Sequence, residues 1–198
     1  MPVRGSGGST RRSVLDAAAE IVQREGVAKL TLDLVAERAG LSKGGILHHF
    51  STKDSLVAAM IEDVIASFEA DLARHMTGEG GPGSFARAFL RACLDPDGVL
   101  TRTLKVSAGI IAAVAFNTQL LAPLRVRYDE WRARLENDGI DPAIAELVRS
   151  AVDGLWFTDV LDLAPPAASL RKRLFATLLE LTYVRQSAPA LVSVEPAG

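Results

Sequence analysis

An all-α fold of about nine helices is what this chain of 198 residues predicts. Three observations carry the expectation. Apolar residues return at helical spacing from end to end, no stretch shows the alternation of a half-buried strand, and short Gly-, Pro-, Asn- and Asp-rich breaks separate the periodic segments. A hydrophobic content of 48% suffices for one good core with a small appended domain.

The first helix is expected from about Thr10 to Glu25, with Val14, Leu15, Ala18, Ile21 and Val22 on one face and Gly26 to stop it. Thr31 caps a short second helix whose Leu32, Val35, Ala36 and Ala39 follow the i, i+3, i+4, i+7 pattern. After a turn at Gly40-Leu41-Ser42, Ser42 caps a short third helix with Ile46 and Phe50 facing inward. Thr52 opens a long fourth helix through Leu56, Met60, Val64, Phe68 and Leu72.

"TGEGGPGS", residues 77 to 84, is expected to be a flexible break. Its Gly78, Gly80 and Gly83 match the G-x-G-x-x-G spacing, but no strand precedes them and Glu79 would repel a pyrophosphate, so nucleotide binding is rejected. Ser84 caps a fifth helix (Phe85, Ala88, Phe89, Ala92) that ends near Asp95-Pro96-Asp97-Gly98. The sixth runs through Val106, Ile110, Ile111 and Val114, and the seventh carries Leu120, Leu121, Leu124, Tyr128, Trp131 and Leu135, its regular part beginning near Pro123. Asp141-Pro142 is an N-cap followed by a first-turn proline, opening the eighth helix (Leu147, Val148, Ala151, Val152, Leu155, Trp156). Pro165-Pro166 interrupts, and Ser169 opens the ninth with Leu170, Leu174, Leu178 and Leu181. The resulting division is a flexible arm (1–9), a three-helix unit (10–55), a larger helical domain (56–186) and a flexible tail (187–198).

Two short helices joined by a tight Gly-containing turn, with a preceding helix to pack against, form a helix-turn-helix whose third helix enters the major groove of duplex DNA. This gives Gly44 and Gly45 a purpose. Glycine weakens a helix by roughly 1 kcal/mol relative to alanine, so a pair in a first turn must gain something from close approach to bases or phosphates. Lys43, His48, His49 and, in the first turn of the next helix, Lys53 supply donors for phosphates and base edges. Seen alone, the glycines read better as a surface loop and the histidines as a solvated pair; the complete frame reverses that preference in favour of DNA. Adjacent histidines project about 100° apart on a helix, and no cysteine or acidic cluster stands at zinc spacing, so no metal is expected.

"LTLDLVAERAGLSKGGILHHFSTKDSL", 30 to 56, resembles the N-terminal signature of TetR-type transcriptional regulators. "LLAPLRVRYDEWRARLENDGIDPAIAELV" and "DGLWFTDVLDLAPP" are similar to ligand-domain segments of one branch of that family. Carried over position by position, the resemblance implies that Thr31, Ser42, Lys43, Gly44, Gly45, Leu47, His48, His49 and Lys53 approach DNA, with Leu47 standing where a tyrosine is frequent. It also implies an effector cavity in the C-terminal domain, for which Phe68, Phe89, Ile110, Phe116, Tyr128, Trp131 and Trp156 are the candidate walls. Few charges occur between 104 and 124, so an apolar or amphipathic small molecule is expected. Homodimerisation on a palindromic operator is implied too. Its candidate surface is Val148, Val152 and Leu155 with Leu170, Leu174 and Leu178, apolar stripes in excess of what one subunit core needs.

Charge and compartment add little. Residues 1–60 hold eight Lys/Arg against six acids, and the remainder carries −4, a weak hint of a polyanion partner at the front. The single cysteine, Cys93, excludes an internal disulfide and reads as a buried inert thiol. "MPVRGSGGSTRR" lacks a signal-peptide core and the apolar run at 106–116 is too short to span a bilayer, so a cytoplasmic protein without membrane partners or cofactors is expected. A ligand-responsive repressor is the leading functional reading. A helical enzyme with a site assembled from distant residues, or a protein-interaction module, stand as alternatives, although no catalytic motif is present.

Overall fold

The computed structural model describes residues 7–94, 100, 103–115 and 117–183. The Asp95-Pro96-Asp97-Gly98 turn, Phe116 and the 187–198 tail lie outside these residues, as does most of the 1–9 arm. Nine α-helices are present among them, with no strand. They are α1 (Gly7–Glu25), α2 (Leu32–Arg38), α3 (Lys43–His49), α4 (Lys53–Met76), α5 (Ser84–Leu94), α6 (Leu104–Val114), α7 (Ala122–Glu136), α8 (Pro142–Val160) and α9 (Ala168–Leu181). Single 3₁₀ turns at Val27–Lys29 and Thr118–Leu121 complete the set.

Local side-chain chemistry fixes most of the starts. Thr31 Oγ1 accepts from Leu34 N at 3.2 Å and Ser42 Oγ from Gly45 N at 3.1 Å. Thr52 and Ser55 form a reciprocal capping box, and Asp141 Oδ1 accepts from Ala143 N at 2.8 Å. Two starts differ from expectation. α1 begins at Gly7, not Thr10, so the last residues assigned to the arm are helical. α5 is capped from a distance: the Asp138 carboxylate accepts from Phe85 N at 2.9 Å and Ala86 N at 2.7 Å, leaving Ser84 as an ordinary first-turn residue.

Helices α1 to α3 pack around Val14, Ala18, Ile21, Leu30, Val35, Ile46 and Phe50, all buried. Leu56 of α4 closes this cluster from below, and α4 then continues into a bundle with α5, α6 and α7. Helices α8 and α9 lie against α5. α6 also packs on α1, where a Cβ built on Gly109 would fall 2.2 Å from Val22 Cγ1. The two helices therefore touch without a side chain on the α6 side.

The 77–84 segment is not the flexible break expected. Arg87, only 4% exposed, donates from Nε to Glu79 Oε2 at 2.7 Å, from Nη1 to the Pro82 carbonyl at 2.9 Å and from Nη2 to the Gly80 carbonyl at 3.1 Å. Arg91 adds a second ion pair to Glu79. Gly83 has φ of +80°, and a Cβ there would lie 2.5 Å from the Thr182 carbonyl. Gly83 thus serves a tight docking onto the end of α9, which local composition cannot distinguish from looseness.

Candidate nucleic-acid interface and internal cavity

The turn between α2 and α3 is set by Gly40, at φ +68°, and by the Leu41 amide returning to the Ala36 carbonyl at 2.8 Å. Ile46, fully buried, anchors the inner face of α3. The outer face then presents Lys43, Gly44, Leu47 and His48, all exposed, with His49 half-buried beside them. The two imidazoles meet edge to face at 5.4 Å between centroids.

The glycine pair divides into two cases. A Cβ on Gly45 would sit 3.3 Å from Ser42 Oγ, so Gly45 makes room for the cap that starts its own helix. A Cβ on Gly44 would meet no heavy atom within 4 Å, and the residue has no left-handed φ. Neither conformation nor packing among the described residues calls for glycine at 44.

Both candidate lysines have intramolecular partners. Lys43 Nζ lies 3.1 Å from Asp33 Oδ1, a fully solvated pair of little energetic weight. Lys53 Nζ donates to the Val27 carbonyl at 3.0 Å, which holds the ammonium beside the 3₁₀ turn that follows α1. Thr31 and Ser42, both exposed, are occupied as caps.

Within the bundle, an apolar cavity of about 130 Å³ lies between α4, α5, α6, α7 and α8. That is close to the size of a cavity known to hold a benzene ring, about 150 Å³. Phe68, Phe89, Ile110, Tyr128, Trp131 and Trp156 all line it, while Phe116 lies outside the described residues. Phe68 and Trp131 stack edge to face at 5.0 Å, and Tyr128 follows Trp131 at 5.3 Å.

The polar part of the wall was not foreseen. Asp153 accepts from Tyr128 OH at 3.1 Å and from Arg149 Nη1 at 2.7 Å. Burial raises its carboxyl above the usual range, even though both hydrogen bonds act the other way. Burial first, then Asp153, raises the Tyr128 hydroxyl likewise, and burial raises the Cys93 thiol. The indole Nε1 of Trp156 is buried with no hydrogen-bond partner among the described residues. The only sequence signal for Asp153 was its i+4 spacing from Arg149, which reads as a solvated helix pair.

Two links run from this cavity to the front of the chain. Leu121, on the wall, ends the 3₁₀ turn capped by Asn117, whose Nδ2 donates to Asp54 Oδ2 at 2.9 Å in the first turn of α4. Ile110 and Ile111, also on the wall, directly follow Gly109, whose position contacts Val22 of α1.

The expected dimer surface needs correction. Val148 is 0% exposed, and Val152 and Leu178 are buried as well, because the α8 face bearing Ala145, Val148 and Val152 packs onto α5. Side chains wholly inside one subunit have no surface to offer another. Leu155 and Leu174 are half-buried, and only Leu170 of the expected set is exposed. The outward apolar groups are instead Leu147 and Phe157 on α8, Leu161 at its C-cap, Leu163 beyond it and Leu170 on α9. Gly154 lies in open space on the same side.

Among the described residues no helix is long and apolar enough to cross a membrane, and no three His, Cys, Asp or Glu side chains group as metal ligands would.

Residues 14–60 match the model of bacterial regulatory proteins of the tetR family, and residues 83–183 match the tetracyclin repressor-like C-terminal domain. The HTH-type transcriptional regulator BetI of Klebsiella pneumoniae is 25% identical over 199 residues, covering 96% of this chain and 99% of its own. BetI of Paraburkholderia phytofirmans is 32% identical over 98 residues, about half of each chain. Among solved structures, a transcriptional regulator from Rhodococcus sp. Rha1 is similar at a TM-score of 0.70 and 24% identity, covering 87% of this chain and 95% of its own. The multidrug binding protein EbrR complexed with ethidium is similar at 0.61 and 24%, over 85% and 98%.

Proposed function

This chain belongs to the TetR family, whose members are DNA-binding transcriptional regulators and not enzymes, and from that premise we propose that it is a cytoplasmic, homodimeric repressor released from a palindromic operator by a small molecule. In this reading residues 10–55 bind DNA, and 56–186 hold the effector and the partner subunit. The observation that carries it is Gly44. A glycine that costs helix stability, with no internal reason for its missing side chain, keeps the outer face of α3 low for an external surface. The effector is an apolar or amphipathic molecule seated among Phe68, Tyr128, Trp131 and Trp156, and the Asp153 carboxylate in the same wall disfavours an anion.

A gel shift on duplex DNA flanking the coding sequence tests the DNA-binding reading, and tryptophan emission followed during release by an effector tests the cavity. No shift on palindromic DNA, or release without any change at Trp131 and Trp156, would remove the corresponding part.

Gly44→Ala should separate folding from binding. The added methyl meets nothing among the described residues, so the melting temperature should hold or rise, by up to about 1 kcal/mol in stability, while DNA affinity falls. Thermal melts with binding isotherms check this; affinity kept at the wild-type level refutes close approach at 44.

His48 and Lys53 should fail differently. His48→Ala should lose about 1 to 3 kcal/mol on particular base pairs only. Lys53→Ala should weaken all duplexes alike and reduce the slope of log affinity against log salt by about one unit. A slope that stays put would leave the ammonium to its Val27 carbonyl alone.

A further inference from the structure

Leu47 is an exposed leucine in the middle of the outer face of α3, at 44% of its full accessibility. Scattered exposed leucines are ordinary on protein surfaces. This one is set apart by its neighbours. The residue one turn earlier on the same face is Gly44, whose Cβ position is empty out to 4 Å, and the next residue is the exposed His48. Ile46, buried about 100° around the helix axis, fixes the rotation of the helix, so Leu47 stands proud of a lowered surface.

The major groove presents donors and acceptors at every base pair and one apolar group, the C5 methyl of thymine. A branched aliphatic side chain has no hydrogen bond to offer there, and against a donor or acceptor it would leave that polar group dry and unpaired. We propose that Leu47 reads a thymine in each operator half-site by packing on its C5 methyl, with Gly44 clearing the approach. This rests on the reading of α3 as the DNA-contacting helix and adds a specific base to it. It also makes Leu47 a determinant of sequence preference rather than of general affinity, since no charge is involved.

The test uses the full-length protein and a random-sequence duplex pool. Duplexes selected by the wild-type protein are rebuilt with deoxyuridine for thymidine, one position at a time, which removes only the methyl. Binding should weaken about fourfold at one thymine per half-site, the effect of one methyl withdrawn from an apolar contact. Leu47→Ala, with fold checked by circular dichroism, should bind the thymidine and deoxyuridine forms equally at that position and respond like the wild type elsewhere. An operator indifferent to deoxyuridine throughout, or a Leu47→Ala protein that keeps the wild-type sensitivity at the same base, overturns the role of Leu47 and leaves DNA binding by α3 standing. A pool from which nothing is enriched overturns both.

Discussion

Arg87→Ala is expected to lower the unfolding free energy by about 3 to 5 kcal/mol, the cost of removing one partner from a buried ion pair. The side chain holds the 77–84 segment at three points: the Glu79 carboxylate and the Pro82 and Gly80 carbonyls. Its guanidinium also lies 4.5 Å from the centre of the Tyr183 ring. Alanine leaves two carbonyls without their donor and Glu79 with Arg91 as its remaining partner. For a chain of this length the melting temperature should drop by roughly 10 °C. The same cluster sets an acid limit. Burial works to raise the Glu79 carboxyl, but hydrogen bonds from Arg91 and Arg87 outweigh it and hold it below the usual range. A depressed folded value contributes stability that is present above the ordinary carboxylate range and lost as pH falls through the folded one. The wild type should therefore lose more stability than Arg87→Ala on acidification; parallel losses would show that Glu79 is not the group involved. Differential scanning calorimetry between pH 7 and pH 3 reads both effects.

Phe157→Arg is expected to yield a folded monomer with operator affinity reduced by about 10² to 10⁴, because two half-site contacts no longer act through one body. Phe157 is 48% exposed on α8, so the substitution removes little from the subunit core. It places a charge on the outward side of α8 that also exposes Leu147, the side expected to face a partner subunit. Sedimentation gives the mass, circular dichroism the fold and gel shift the affinity. A dimer of wild-type mass would move the partner surface elsewhere, and a monomer with undiminished affinity would sever assembly from DNA binding. Val148→Arg should contrast with it by unfolding the chain, since Val148 lies wholly inside.

What the sequence made legible follows the range of the interactions. Caps at Thr31, Ser42, Thr52 and Asp141 act over two or three residues, and each stands where its residue type and spacing predicted. The ring residues Phe68, Phe89, Tyr128, Trp131 and Trp156 are apolar at helical spacing, and all five come to one cavity. Orientation between helices was not legible. α8 carries apolar residues on more than one stripe, and only its packing on α5 tells that Val148 turns in and Phe157 turns out. The glycine-rich segment misled for the same reason, because its rigidity comes from Arg87 and from the remote Thr182 carbonyl. Asp138 capping α5 across 53 residues and Asp153 in an apolar wall are likewise facts of tertiary contact.

The contact between Gly109 and Val22 determines how much play the chain has between its front and its bundle. At 2.2 Å from a would-be Cβ, the seam between α1 and α6 has no slack to take up. Close-packed interiors resist compression, so α6 can slide along α1 or lever it aside, but it cannot sink into it. A molecule that wedges Ile110 or Ile111 outward would turn α6 into a stiff lever with its fulcrum at Gly109. Sensitivity would then depend less on the volume of the occupant than on which side of that fulcrum it presses. Two compounds of equal size and similar affinity could differ wholly as inducers, one tipping α1 and the other leaving it still.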